Sequence, residues 1–79
     1  MTLGIKVDDF LSEVYRWLMC HQRVQDEHQL DFLSMGKITF IKELESFMEQ
    51  RFVSMHPDKP VDRKMLHECA VEYAREFTP

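Results

Sequence analysis

The chain has 79 residues, a formal net charge of -4 and two cysteines. This size predicts a single domain over residues 1–79, and the acidic balance argues against broad contact with a phosphate backbone. Two cysteines are too few for a disulfide scaffold, although one bond between Cys20 and Cys69 stays open. No signal-peptide pattern precedes the first predicted helix, so we expect a cytoplasmic protein. The longest apolar run, residues 17–20, is too short to span a membrane.

The first amphipathic segment begins at Asp8 and Asp9, two residues that suit a helix N-cap or first turn. From Phe10 to about Val24 the apolar side chains recur at helical spacing and cover roughly half of the helical wheel. The pattern predicts one helix from residue 8 to residue 24.

Residues 26–54 allow two interpretations. Asp26 and Gln29 match a capping box, which would start a short helix that ends at Met35, with Gly36 as its C-terminal stop. Alternatively, one helix continues through Gly36, because apolar residues keep a common stripe on both sides of it. The stripe consists of Leu30, Leu33, Ile41, Leu44 and Met48.

Residues 38–55 have the clearest helical pattern, and Pro57 ends it. The apolar face consists of Ile41, Leu44, Phe47, Met48, Phe52 and Met55. Asp62 suits the cap of a last helix with an apolar face formed by Leu66, Cys69, Ala70, Tyr73, Ala74 and Phe77. We therefore expect an all-α fold, a small three- or four-helix bundle with an antiparallel helical hairpin at 38–77.

Between these two helices the chain reads His56-Pro57-Asp58-Lys59-Pro60. The stretch resembles the His-Pro-Asp loop of J-domain co-chaperones, which joins two antiparallel helices. The resemblance covers about residues 30–77 and includes the spacing of apolar residues on both sides of the loop. The matching residues of a first element are Asp31, Phe32, Leu33, Met35 and Gly36. Those before the loop are Leu44, Phe47, Met48, Phe52 and Met55. Those after it are Leu66, Cys69 and Tyr73, which match the third helix in the short-loop form that viral tumour antigens have.

The resemblance implies a protein that does no chemistry itself but stimulates ATP hydrolysis by a partner chaperone. The implied contact residues are His56, Pro57 and Asp58, with secondary contacts from Lys59, Lys42 and Arg51. The chain also departs from the family pattern. The helix before the loop is acidic on balance, Arg51 occupies a position where the family has an apolar core residue, and the helix that begins near Asp8 has no counterpart.

The residues that could bind a metal or catalyse a reaction lack the spacing for it. The histidines and cysteines show neither CxxC nor HxxxH spacing, and His67-Glu68 is followed by Val71 where a zincin needs its second histidine. Cys69 lies on an apolar helix face, which favours a buried, inert thiol. We expect no enzyme activity, no catalytic residue, no metal and no cofactor.

Two alternatives to the co-chaperone stay open. Wide apolar faces and six methionines suit a protein partner or a homodimer, as in a small phage- or plasmid-type regulator or inhibitor of a host protein. The last two helices also resemble a helix-turn-helix DNA-binding regulator with basic residues at the helix ends. Its exposed face, however, carries an acidic stripe that phosphate would repel, formed by Glu68, Glu72 and Glu76.

Overall fold

The computed structural model describes residues 5–77, and these form four helices with short connections. The helices are α1 (Val7–Met19), α2 (Gln22–Met35), α3 (Lys37–Met55) and α4 (Arg63–Arg75). The predicted all-α bundle is confirmed. No helix in the described part of the chain is long and apolar enough to cross a membrane.

The predicted helix from residue 8 to residue 24 is wrong in its C-terminal third. α1 ends at Met19, and the backbone leaves the helical region at His21, with φ -135° and ψ 57°. The His21 imidazole stacks on the Trp17 indole and its Nδ1 donates to the Trp17 carbonyl at 2.8 Å. The His21 side chain therefore satisfies a main-chain carbonyl at the end of α1. Asp8 and Asp9 lie in the first turn of α1, which is one of the two positions predicted for them, the other being the N-cap.

The α2–α3 boundary decides between the two interpretations of residues 26–54. Gly36 has φ 84°, a left-handed conformation that only glycine adopts without strain, so one continuous helix is wrong. The predicted capping box is also wrong, because α2 begins at Gln22. Asp26 lies inside α2, where its carboxylate accepts a hydrogen bond from the Gln22 side chain at 3.0 Å.

α3 and α4 form the predicted antiparallel hairpin. Glu49 of α3 pairs with Arg63 of α4 at 2.7 Å, and Glu45, one turn earlier in α3, contacts His67, one turn later in α4. The two helices therefore run in opposite directions. The predicted cap is confirmed, since the Asp62 carboxylate accepts the Met65 N–H at 3.1 Å.

The core lies between α1, α3 and α4. Its members are Phe10, Val14, Leu18, Phe40, Leu44, Met48, Phe52, Met65, Leu66, Cys69, Ala70, Tyr73 and Ala74. The predicted face of α4 is buried except for Phe77, which is half-buried, whereas Phe40 and Met65 are core residues that the pattern did not single out. Helix α2 buries none of its residues fully and covers the core through half-buried side chains. Cys20 is an exposed free thiol and Cys69 a buried one, so the two do not form a disulfide bond.

Candidate functional site

Residues 56–60 form a tight turn at the tip of the α3–α4 hairpin. The His56 N–H donates to the Phe52 carbonyl at 2.8 Å and ends α3, and the His56 carbonyl accepts the Lys59 N–H at 3.1 Å. Pro57 is the second residue of this turn, where its fixed φ is favourable. The side chains from Pro57 to Pro60 are all exposed. The loop thus presents four of its five side chains to solvent.

His56 is the exception, because its ring faces α1. Its Nε2 lies 2.7 Å from Oε2 of Glu13, and the two side chains are only 19% and 29% exposed. A carboxylate accepts hydrogen bonds and cannot donate, so the proton is on Nε2. The other neighbour of the ring is Phe52, with centroids 5.4 Å apart. His56 therefore links the loop to both α1 and α3.

An open groove of about 870 Å³ runs along the loop between the N-terminal halves of α1 and α4. Its apolar lining comes from Ile5, Val7 and Met65, and its charged lining has both signs. Lys59 of the loop belongs to this lining. The groove makes this side of the loop accessible to another molecule, and its mixed charge does not select nucleic acid.

The two predicted secondary contacts in α3 lie apart from the loop. Lys42 is exposed and about 21 Å from His56 along α3, at about 1.5 Å per residue. Arg51 faces α1, where its guanidinium carbon lies 4.2 Å from the Trp17 ring centroid. The Arg51 Nε is buried without a hydrogen-bond partner. The structure thus brings together His56, Pro57, Asp58 and Lys59, whereas Lys42 and Arg51 lie elsewhere on α3.

Glu13 is the site residue that the sequence did not single out. It lies at the edge of the apolar arc of α1, close to Phe10 and Trp17 on the helical wheel. A carboxylate in that position signals a polar partner at the core edge, although not which one. The partner is His56, 43 positions further along the chain.

The opposite end of the hairpin holds a second part-buried hydrogen bond between side chains. Nδ1 of His28 and the Tyr73 hydroxyl share a hydrogen bond of 2.8 Å, and the imidazole meets the Phe47 ring edge-on at 4.7 Å. Burial lowers the pKa of His28 below its usual value, against the opposing effect of Asp31 and Glu27. The neutral imidazole can share this hydrogen bond with the Tyr73 hydroxyl in either of its tautomers. This contact attaches α2 to the core.

Two further side chains at the core, Tyr15 and Cys69, have pKa values raised by burial. Burial, assisted by Glu76, raises the pKa of Tyr15 to about 12, and Tyr15 stacks on Tyr73 at 5.8 Å. Burial also raises the pKa of the Cys69 thiol to about 12. A thiol with so high a pKa is a poor nucleophile at neutral pH.

Within residues 5–77 no three His, Cys, Asp or Glu side chains are grouped so that they could hold a metal ion. No protein-family model, curated protein or solved structure matches this chain.

Proposed function

We propose that this chain is a non-enzymatic protein-binding module that docks on its partner through the loop 56–60, as a J-domain-like co-chaperone does. The main support is the position of the loop at the tip of an antiparallel hairpin, with Pro57 to Pro60 exposed. The turn itself is fixed by main-chain hydrogen bonds at both ends of His56. A preorganised loop loses little conformational entropy when it binds.

Asp58 and Lys59 are the charged residues that the loop offers to a partner. Both are exposed, and neither forms an ion pair with another residue in the range 5–77. Adjacent opposite charges favour a partner surface with the complementary pair, which fixes the orientation of docking. A cytoplasmic location is part of the proposal, because it keeps the exposed Cys20 reduced.

The test is ATP hydrolysis by a purified chaperone of the class that J-domains stimulate, measured in single turnover with and without this protein. We expect stimulation by the wild type and loss of stimulation by Asp58→Asn. Asp26→Asn is the matched control, because Asp26 is exposed on α2 and outside the loop. It should stimulate like the wild type.

Circular dichroism of each variant verifies that the helices are intact. The co-chaperone proposal fails if the wild type leaves the ATPase rate unchanged, or if Asp58→Asn stimulates as well as the wild type does.

A second candidate function is supported by the exposed apolar side chains at the α2–α3 junction. Leu30, Leu33 and Ile38 are 65%, 72% and 76% exposed. Leu30 and Leu33 are three positions apart and share one face of α2. Exposed apolar groups of this kind favour a protein interface, either a homodimer or the docking of a small regulator or inhibitor on its target.

Sedimentation equilibrium tests the homodimer. The wild type should sediment as a dimer at high concentration, and Leu33→Glu should sediment as a monomer with the same helical content. A monomeric wild type under those conditions rejects self-association through this face.

A further inference from the structure

The loop 56–60 is tied to α1 by a single side-chain hydrogen bond between His56 and Glu13. The Nε2–Oε2 distance of 2.7 Å is typical of a charge-assisted bond, which is stronger than one between neutral groups. Both side chains are more than two thirds shielded from solvent, and their remaining exposed surface faces the groove. The His56 ring also packs on Phe52, whose side chain is buried against Phe10 of α1.

This arrangement separates the roles of the loop residues. In the free protein Nε2 of His56 is already bonded, whereas Asp58 and Lys59 are exposed. Turning His56 outward would break its packing on Phe52 and would leave the Glu13 carboxylate shielded without a partner. Such a carboxylate is costly. His56 is therefore the residue that fixes the start of the turn against α1 and α3.

We propose that Glu13 is a positioning residue of the binding site: it holds His56 so that Asp58 and Lys59 face the partner. The inference rests on the proposed function for its consequence in binding, but its structural part concerns the free protein alone. It also assigns a role to α1, the helix for which the His-Pro-Asp resemblance provides no counterpart. The opposite role, in which Glu13 restrains His56 from the partner, predicts a gain of activity when Glu13 is removed.

The first test uses the free protein and nuclear magnetic resonance. In the wild type we expect an Nε2 proton of His56 that exchanges slowly with water. Glu13→Ala should lose that resonance and shift the amide signals of Asp58 and Lys59. Glu13→Gln should restore them in large part, because its amide oxygen also accepts from Nε2–H. Ser12→Ala, an exposed neighbour on α1 that also lines the groove, is the matched control and should leave them unchanged.

The second test measures how well the same variants stimulate the chaperone ATPase. Loss of a hydrogen bond to a charged group corresponds to about a tenfold effect, so Glu13→Ala should need about tenfold more protein for half-maximal stimulation. Glu13→Gln should recover most of the loss. Rescue by glutamine separates positioning from general damage to the helix, and circular dichroism of both variants should show the helical content of the wild type.

Three results overturn the inference: no protected Nε2 proton in the wild type, unchanged Asp58 and Lys59 amides in Glu13→Ala, or higher stimulation by Glu13→Ala than by the wild type. If the wild-type protein stimulates no chaperone, the proposed function is rejected instead. In that case the resonance measurements still decide whether Glu13 positions the loop.

Discussion

The two ends of the α3–α4 hairpin are built from different kinds of contact. At the α2 end, Phe40, Tyr73 and Phe77 meet Phe32 and His28 in a cluster of aromatic rings. At the loop end, the side chain of His56 is bonded to a half-buried carboxylate, and the next four side chains are exposed. Both ends bury aromatic rings, since Phe52 packs on Phe10 near the loop, whereas the loop end leaves a run of four side chains exposed.

The largest expected effect is a cavity at the α2 end. Phe40 is 1% exposed, and Phe40→Ala should lower the free energy of unfolding by about 3–5 kcal/mol. Val53→Ala, at a position in the loop-side half of α3 that is 50% exposed, should change it by less than about 0.5 kcal/mol. Urea unfolding followed by circular dichroism measures both. Equal effects would contradict the burial of Phe40 and the exposure of Val53.

A smaller effect is expected when the hydrogen bond of the α2 end is removed. Tyr73→Phe keeps the ring but leaves Nδ1 of His28 without its hydrogen-bond partner, which should cost about 1–3 kcal/mol. Tyr15→Phe is the matched control on the stacked partner ring. Its hydroxyl interacts with the exposed Glu76 and not with His28, so we expect a smaller loss in the same urea titration. A larger loss for Tyr15→Phe would contradict the role given to His28 and Tyr73.

The two aspartates near the loop sharpen the comparison within a few residues. Asp62 caps α4, so Asp62→Ala should destabilise the protein by about 1 kcal/mol. Asp58 is exposed and should cost less than about 0.5 kcal/mol when replaced by alanine. Thermal unfolding of both variants measures this. If Asp58→Ala proved the more damaging, Asp58 would have a structural task and would not be reserved for a partner.

The smallest effect expected is a pH dependence that comes from the α2 end. Because burial lowers the pKa of His28, the unfolded chain binds a proton at this site before the folded protein does. The stability from neutral His28 is fully present above about pH 6.5 and is lost as the pH falls from 6.5 through the folded pKa.

Unfolding midpoints at pH 7.5 and pH 5 measure this loss. His28→Asn, which keeps a hydrogen-bonding side chain near the position of Nδ1 but does not titrate, should show less of the acid loss. His67→Gln, which changes only the exposed contact with Glu45, should retain it. An unchanged pH dependence in His28→Asn would assign the effect to another group.

The features that the sequence predicted correctly depend on neighbouring residues. The left-handed stop at Gly36, the end of α3 before Pro57 and the cap at Asp62 each follow from a local rule about backbone conformation or a nearby N–H. The capping box at Asp26 failed because Gln22 and Asp26 bond within a helix that had already begun.

The contacts that define the site were not predictable in this way. His56 and Glu13 are 43 positions apart, and His28 and Tyr73 are 45 apart. Their meeting depends on how α1 and α2 pack on the hairpin, which apolar periodicity does not determine. The arc of α1 contained a hint at Glu13, since a carboxylate at the edge of an apolar face needs a polar partner.

The central claim is that the loop 56–60 is the binding surface, and the most direct test is to map which residues a partner contacts. Amide resonances of the ¹⁵N-labelled chain are followed as an unlabelled ATP-dependent chaperone is added; proline has no N–H, so His56, Asp58 and Lys59 report on the loop. We predict that these three amides shift or broaden first while those of Leu30 and Leu33 stay unchanged. Changes confined to Leu30 and Leu33, or no change at any amide, would contradict the assignment of the loop as the binding surface.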